Sequence, residues 1–144
     1  MAAEGLQVRQ ILLTHTHGDH IFDLERVLEK TGAPVSTPAK EPLEGAKPFE
    51  EGATFACGSL QVSTLLTHGH SPGGTTFVLH GLEKPVAIVG DALFAGSAGG
   101  ASAWKIALSN VAEKILTLAP ETVICPGHGP LTSVALERTN NPFF

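Results

Sequence analysis

Hydrophobic positions along the chain fall into short runs broken by turn residues. Residues 10–13 form a mostly apolar run that predicts a buried strand, and the run stops at a histidine-rich segment. Over residues 21–30, Ile21, Leu24, Val27 and Leu28 share one helical face, and Gly32 stands where a helix C-terminal cap belongs. Residues 33–35 predict a short strand. Residues 38–51 carry Pro38, Pro42, Gly45 and Pro48 among charges, the pattern of a surface connection. Residues 53–57 and 60–66 flank Gly58-Ser59 as a hairpin, and residues 75–79 and 86–89 predict two more strands around a turn at 81–85. Ser102 is placed to cap a helix over 103–118, in which Trp104, Leu108, Val111, Ile115 and Leu118 form one apolar stripe. Pro120 ends that helix, residues 122–125 predict a last strand, and the tail 139–144 reads as irregular.

With 144 residues the chain has room for one compact domain, 1–144, and not for two ordinary ones. A net charge of -5 with no cluster of Lys and Arg argues against a nucleic-acid partner, whose phosphates call for a basic patch. No apolar run approaches the roughly 18 residues of a membrane-spanning helix, so no membrane partner is expected. The first ten residues lack the basic and apolar regions of a secretory signal, which makes a cytoplasmic location the default. In that setting Cys57 and Cys125 are expected to be reduced, buried thiols, Cys125 in the core of its strand.

The chemistry is concentrated in four segments of one layout: an apolar run followed at once by a loop of small residues holding metal-ligating side chains. The run ending at Thr14 leads to His15, His17, Asp19 and His20. The run ending at Thr67 leads to His68 and His70, then Ser71-Pro72-Gly73-Gly74. Val89-Gly90 leads to Asp91, and Pro126-Gly127 leads to His128. Strands of one sheet can bring their ends together along one edge, and glycine lets backbone approach a metal closely. Neutral imidazole and carboxylate suit zinc and also iron.

The spacing His15-x-His17-x-Asp19-His20, with Gly69-His70-Ser71-Pro72-Gly73-Gly74, Gly90-Asp91 and Pro126-Gly127-His128-Gly129 following in order, resembles the metallo-β-lactamase superfamily, and within it the small hydrolases related to glyoxalase II. The resemblance implies an α/β fold, the αββα sandwich of two sheets with helices outside. It implies two divalent metal ions, zinc in the first place with iron or manganese as alternatives. His15, His17 and His70 would hold the first, Asp19, His20 and His128 the second, and Asp91 would bridge them. The implied reaction is hydrolysis of a small thioester, ester or lactone by a metal-bridging hydroxide, with Asp19 as the catalytic residue orienting that nucleophile. Two other readings stay open. One is a mononuclear iron enzyme of the persulfide dioxygenase kind, needing only His15, His70 and Asp91; the other is a domain that binds metal without turning over substrate.

Three features depart from the resembled pattern. His68 stands where the family carries proline, and is read either as a pocket residue or as a neutral, solvent-facing change. Residues 97–101 are Ser-Ala-Gly-Gly-Ala where relatives carry an arginine, so a mobile lip is expected in place of a charged substrate contact. Only 14 residues precede His15, fewer than the strands and helix expected there, which reads as an N-terminally truncated sandwich. The exposed sheet would then favour a homo-oligomer covering it. The glutathione-binding helical domain of true glyoxalase II has no counterpart, so the expected partner is a small-molecule substrate of unspecified class. His80, near a turn, is expected on the surface.

Overall fold

The computed structural model describes residues 5–144. In a first sheet, β1 (Ile11–Leu12), β2 (Val35–Pro38) and β3 (Lys47–Phe49) lie side by side in that order, all parallel. Parallel neighbours require a crossover, and the one from β1 to β2 is helical, a single turn α1 (Gly18–Ile21) running into α2 (Leu24–Thr31). Gly32 ends α2 as expected, in the left-handed region at φ 61°, with its amide donating to the Leu28 carbonyl. The apolar face expected of this helix is shallow: no residue of α2 is fully buried, and Phe22 and Val27 are exposed. β3 lies inside the stretch read as an irregular connection. Its Lys-Pro-Phe sequence carries little strand signal; the Phe49 ring packs against Phe55 and Phe77 at centroid distances of 5.4 and 5.8 Å, a tertiary contact no local pattern encodes.

The second sheet supplies most of the framework. β4 (Thr54–Cys57), β5 (Leu60–Leu66), β6 (Thr75–His80) and β7 (Val86–Gly90) form an antiparallel meander. A two-stranded hairpin follows, β8 (Leu93–Phe94) with β9 (Ser97–Ala98), and then β10 (Val123–Pro126), parallel to β7, and β11 (Thr132–Ser133) complete the order β11-β10-β7-β6-β5-β4. The predicted hairpin turn at Gly58 and the strands on either side of residues 81–85 are as the sequence suggested.

Side chains alternate across this sheet. Val78 pairs with Ala87, and Ala87 with Ile124, so these share one face. Against it pack the π-helical segment (Val111–Ile115) that continues α3 (Trp104–Asn110), and α4 (Val134–Asn140). Ala87, Val89, Leu93, Val111, Ile115, Ile124 and Val134 form the buried core here. The helix expected over 103–118 therefore differs in three ways. It begins after Ala103, with no side-chain cap. It widens into a π turn, where the Leu116 amide donates to the Val111 carbonyl. It ends at Ile115. Trp104 leaves the stripe and sits at its exposed edge, its ring 5.6 Å from that of Phe143. Helix α4 takes in residues 139 and 140 of the tail read as irregular; Ser133 caps it by accepting from the Leu136 amide at 3.3 Å.

The opposite face carries Val62, Phe77, Leu79 and Ile88. Near Phe77 it is covered, but an apolar groove lined by Leu12, Leu60, Leu79 and Ile88 lies open, with Ile88 39% exposed. Cys57, expected in the core, is exposed and lines this groove, which lies open beside it, and Cys125 is only half-buried; both thiols are free. Among the described residues no helix is long and apolar enough to cross a membrane.

Candidate metal centre

The ends of β1, β5, β7 and β10 bring all seven predicted residues into one cluster. The join is made by backbone: the Thr75 amide donates to the Thr14 carbonyl at 3.0 Å, and the Gly127 amide to the Gly90 carbonyl at 2.9 Å. His15, His17 and His70 place one ligand atom each within 4.8 Å of one another, and so do Asp19, His20 and His128; a third such group joins His15 and His20 to Asp91. Asp91 stands between the first two. Its Oδ2 is 3.6 Å from His70 Nε2 and 3.4 Å from His128 Nε2, and its Oδ1 is 3.2 Å from His20 Nε2. Asp19 Oδ2 lies 3.1 Å from His128 Nε2 on the exposed side.

Second partners fix the rings. His70 Nδ1 is 2.6 Å from the Gly100 carbonyl oxygen, which can only accept, so that nitrogen carries the proton and Nε2 offers its lone pair. That lone pair faces His17 Nδ1 at 3.0 Å. His15 Nδ1 meets Thr14 Oγ1 at 3.1 Å. His15 Nε2, His20 Nε2 and Asp91 Oδ1 are all buried without a hydrogen-bond partner. Buried polar atoms are nearly always satisfied, and here three of them converge. Burial, then repulsion from His20, pushes His15 down to about 4 despite the opposing pull of Asp91, which leaves it neutral and able to ligate at pH 7. The Asp19 carboxyl sits below the ordinary range: desolvation works against this, but its own backbone amide and the nearby His20 and His128 prevail. The donor set of neutral imidazole nitrogens and carboxylate oxygens with unused lone pairs fits divalent cations.

Glycines let the loops close in. A Cβ at Gly127 would lie 2.2 Å from Asp91 Oδ1, and one at Gly69, whose φ is 135°, would lie 2.6 Å from the Ala107 Cα of α3.

Two buried carboxylates escape the sequence reading, and His68 is settled between its two readings. Glu41 is buried and accepts from the Thr16 amide and hydroxyl and from the Gly73 amide. Its burial opposes ionisation, but these hydrogen bonds prevail and hold the carboxyl below its ordinary range. Glu137, also buried, accepts from the Gly96 amide, the Thr132 hydroxyl and the Asn141 amide group. It thereby fixes the β8–β9 hairpin beside the site, so the expected mobile lip is anchored at its base. His68 is half-buried and not solvent-facing: Asn110 Nδ2 lies 3.2 Å from its Nδ1 and donates to its carbonyl at 2.8 Å, tying the ligand loop to α3. A buried glutamate in a charged, proline-rich stretch carries no sequence signal of its own. His80, as expected, is exposed.

The chain belongs to the metallo-β-lactamase superfamily, whose family model matches residues 2–128. Within it the chain is similar to the glyoxalase II-like metallo-hydrolases. It is 34% identical to the probable metallo-hydrolase YqgX of Bacillus subtilis, over 97% of this chain and 77% of that protein. It is 27% identical to the hydroxyacylglutathione hydrolase GloC of Haemophilus influenzae, over 96% of this chain and 76% of that protein. Among solved structures, TTHA1623 in a di-iron-bound form matches with a TM-score of 0.76 and 31% identity, covering 99% of this chain and 81% of that one. The fold is thus the α/β metallo-β-lactamase fold; it implies divalent metal ions, and the His/Asp cluster for them is present.

Proposed function

We propose that this protein is a binuclear metal-dependent hydrolase acting on a small thioester, ester or lactone. The observation that carries the reading is the convergence of His15 Nε2, His20 Nε2 and Asp91 Oδ1, three buried ligand atoms that make no hydrogen bond, the last two facing each other at 3.2 Å. His15, His17 and His70 would hold one ion, Asp19, His20 and His128 the other, with Asp91 shared between them. Zinc fits this donor set, and iron does too, the metal named for TTHA1623. Two such ions would supply Lewis acidity, lowering the pKa of a bound water toward about 7 and polarising a carbonyl. His15 stays neutral and keeps its lone pair directed inward. Asp19, held ionised and exposed beside His128, accepts a hydrogen bond from the attacking water and orients it. No serine or cysteine nucleophile is needed.

A mononuclear iron enzyme would leave Asp19, His20 and His128 without a role, although their ligand atoms gather within 4.8 Å. The test is metal quantification on purified protein, then turnover of a thioester, lactone and β-lactam panel after reconstitution with zinc, iron or manganese. Two equivalents with hydrolysis are expected. One equivalent of iron with oxygen consumption on a persulfide would replace the proposal, and metal binding with no turnover on any substrate would reduce the chain to a binding module.

A further inference from the structure

We propose that Glu41 is a positioning residue that sets the affinity of the His15–His17–His70 group by holding its two loops at a fixed separation. The inference rests on the metal-centre reading above. Glu41 follows β2, in a different part of the chain from every ligand, and is 4% exposed. Its own amide donates to the Pro38 carbonyl at 2.8 Å, so its backbone is anchored. One carboxylate oxygen, Oε2, accepts from Thr16 N–H at 3.2 Å and from the Thr16 hydroxyl at 2.8 Å; the other, Oε1, accepts from Gly73 N–H at 2.7 Å. Thr16 lies between His15 and His17, and Gly73 lies three residues after His70. One side chain therefore spans the two loops that carry this ligand group. No hydrogen bond among the described residues joins Glu41 to Asp19, His20 or His128.

The approach is close enough to dictate a neighbour. A Cβ at Gly73 would fall 2.7 Å from Glu41 Cγ and 3.1 Å from Pro38 Cβ. Gly73, the first of the two glycines in the Ser71-Pro72-Gly73-Gly74 segment, is thus held to glycine by the packing of Glu41 and Pro38. Three charge-assisted hydrogen bonds offset the desolvation of a lone carboxylate. They also fix ligand spacing before any ion arrives. Glutamine in its place would turn an NH2 group toward a donor, and one loop would be released.

Cobalt titration followed by absorption, in two backgrounds, isolates the effect. His128→Ala leaves the first ligand group, and His17→Ala leaves the second. Glu41→Gln is expected to weaken cobalt binding by about 10–100-fold in the first background, the range for residues that orient ligands, and by under about threefold in the second. Thr16→Val should give a smaller loss in the same background, restored by Thr16→Ser, and this pair decides the matter if Glu41→Gln does not fold. Equal weakening in both backgrounds would reveal a general structural role and overturn the proposal. So would cobalt affinity unchanged by both Glu41→Gln and Thr16→Val. Parent protein that binds no cobalt would instead overturn the metal-centre reading itself.

Discussion

Gly127→Ala is the most direct perturbation of the centre. A Cβ there would sit 2.2 Å from Asp91 Oδ1 and 2.7 Å from His20 Cε1, where ordinary contact begins near 3.4 Å. Gly127 is not among the glycines with positive φ, so alanine meets no backbone strain and the effect is confined to that clash. Either Asp91 or the backbone leading to His128 must move by about 1 Å, a misplacement that costs on the order of 100-fold in a reacting geometry. In free energy this is about 2.7 kcal/mol of transition-state stabilisation. The assay is kcat/KM on the substrate found by the panel, with metal content measured on the same sample and Tm as a check on folding. Gly18→Ala is the matched control, because its Cβ meets nothing within 4 Å and its φ is also not positive. A Gly127→Ala protein within about threefold of the parent in kcat/KM, a difference of under 1 kcal/mol, and with both metals bound, would refute the steric argument.

Three further outcomes are expected. His15 is held at about 4 against an ordinary 6.5, so the metal-free protein keeps the full benefit above pH 6.5. It loses up to about 3 kcal/mol as pH falls toward 4, since the unfolded chain binds the proton more readily; equal pH slopes in urea for the parent and His15→Gln would contradict this. Chelation should remove about 4 kcal/mol for an ion present at a thousand times its Kd, roughly 10 °C in Tm; a Tm that does not move with EDTA would count against tight binding by the folded state. Ile124→Ala, fully buried among Ala87, Val89 and Val134, should cost about 2–5 kcal/mol, seen as a lower urea midpoint, while metal stoichiometry stays as in the parent.

The candidate ligands were legible because their chemistry is contiguous: histidines and aspartates sit in glycine-bracketed loops directly after apolar runs. The strand framework was legible for the same reason, since alternation and turn residues mark 53–66 and 75–89 locally. What stayed hidden depends on distant partners. Glu41 in Lys-Glu-Pro looks solvated until the Thr16 and Gly73 amides are brought to it. β3 needs Phe55 and Phe77 from the other sheet. The π turn at 111–115 shifts the helix away from the period on which the 103–118 stripe was built. Cys57 was placed in the core as the end of a hairpin strand, and only the open groove beside it shows why it is exposed.

The ligands divide between the layers in a way that bears on folding. His15, His17, Asp19 and His20 follow β1 of the three-stranded sheet, whereas His70, Asp91 and His128 follow β5, β7 and β10 of the six-stranded one. Each ion would therefore be a clasp between sheets, the first closing the chain from His15 to His70 and Asp91, the second from Asp19 to His128. Such long closures remove much conformational freedom from the unfolded chain. The clasp lies at one end of an interface that is open at the Leu12–Ile88 groove, so the side away from the ions is where the layers should part first. Limited proteolysis of metal-free protein should accordingly cut near β1 and β2 before it reaches the meander, and loading with metal should delay that cut.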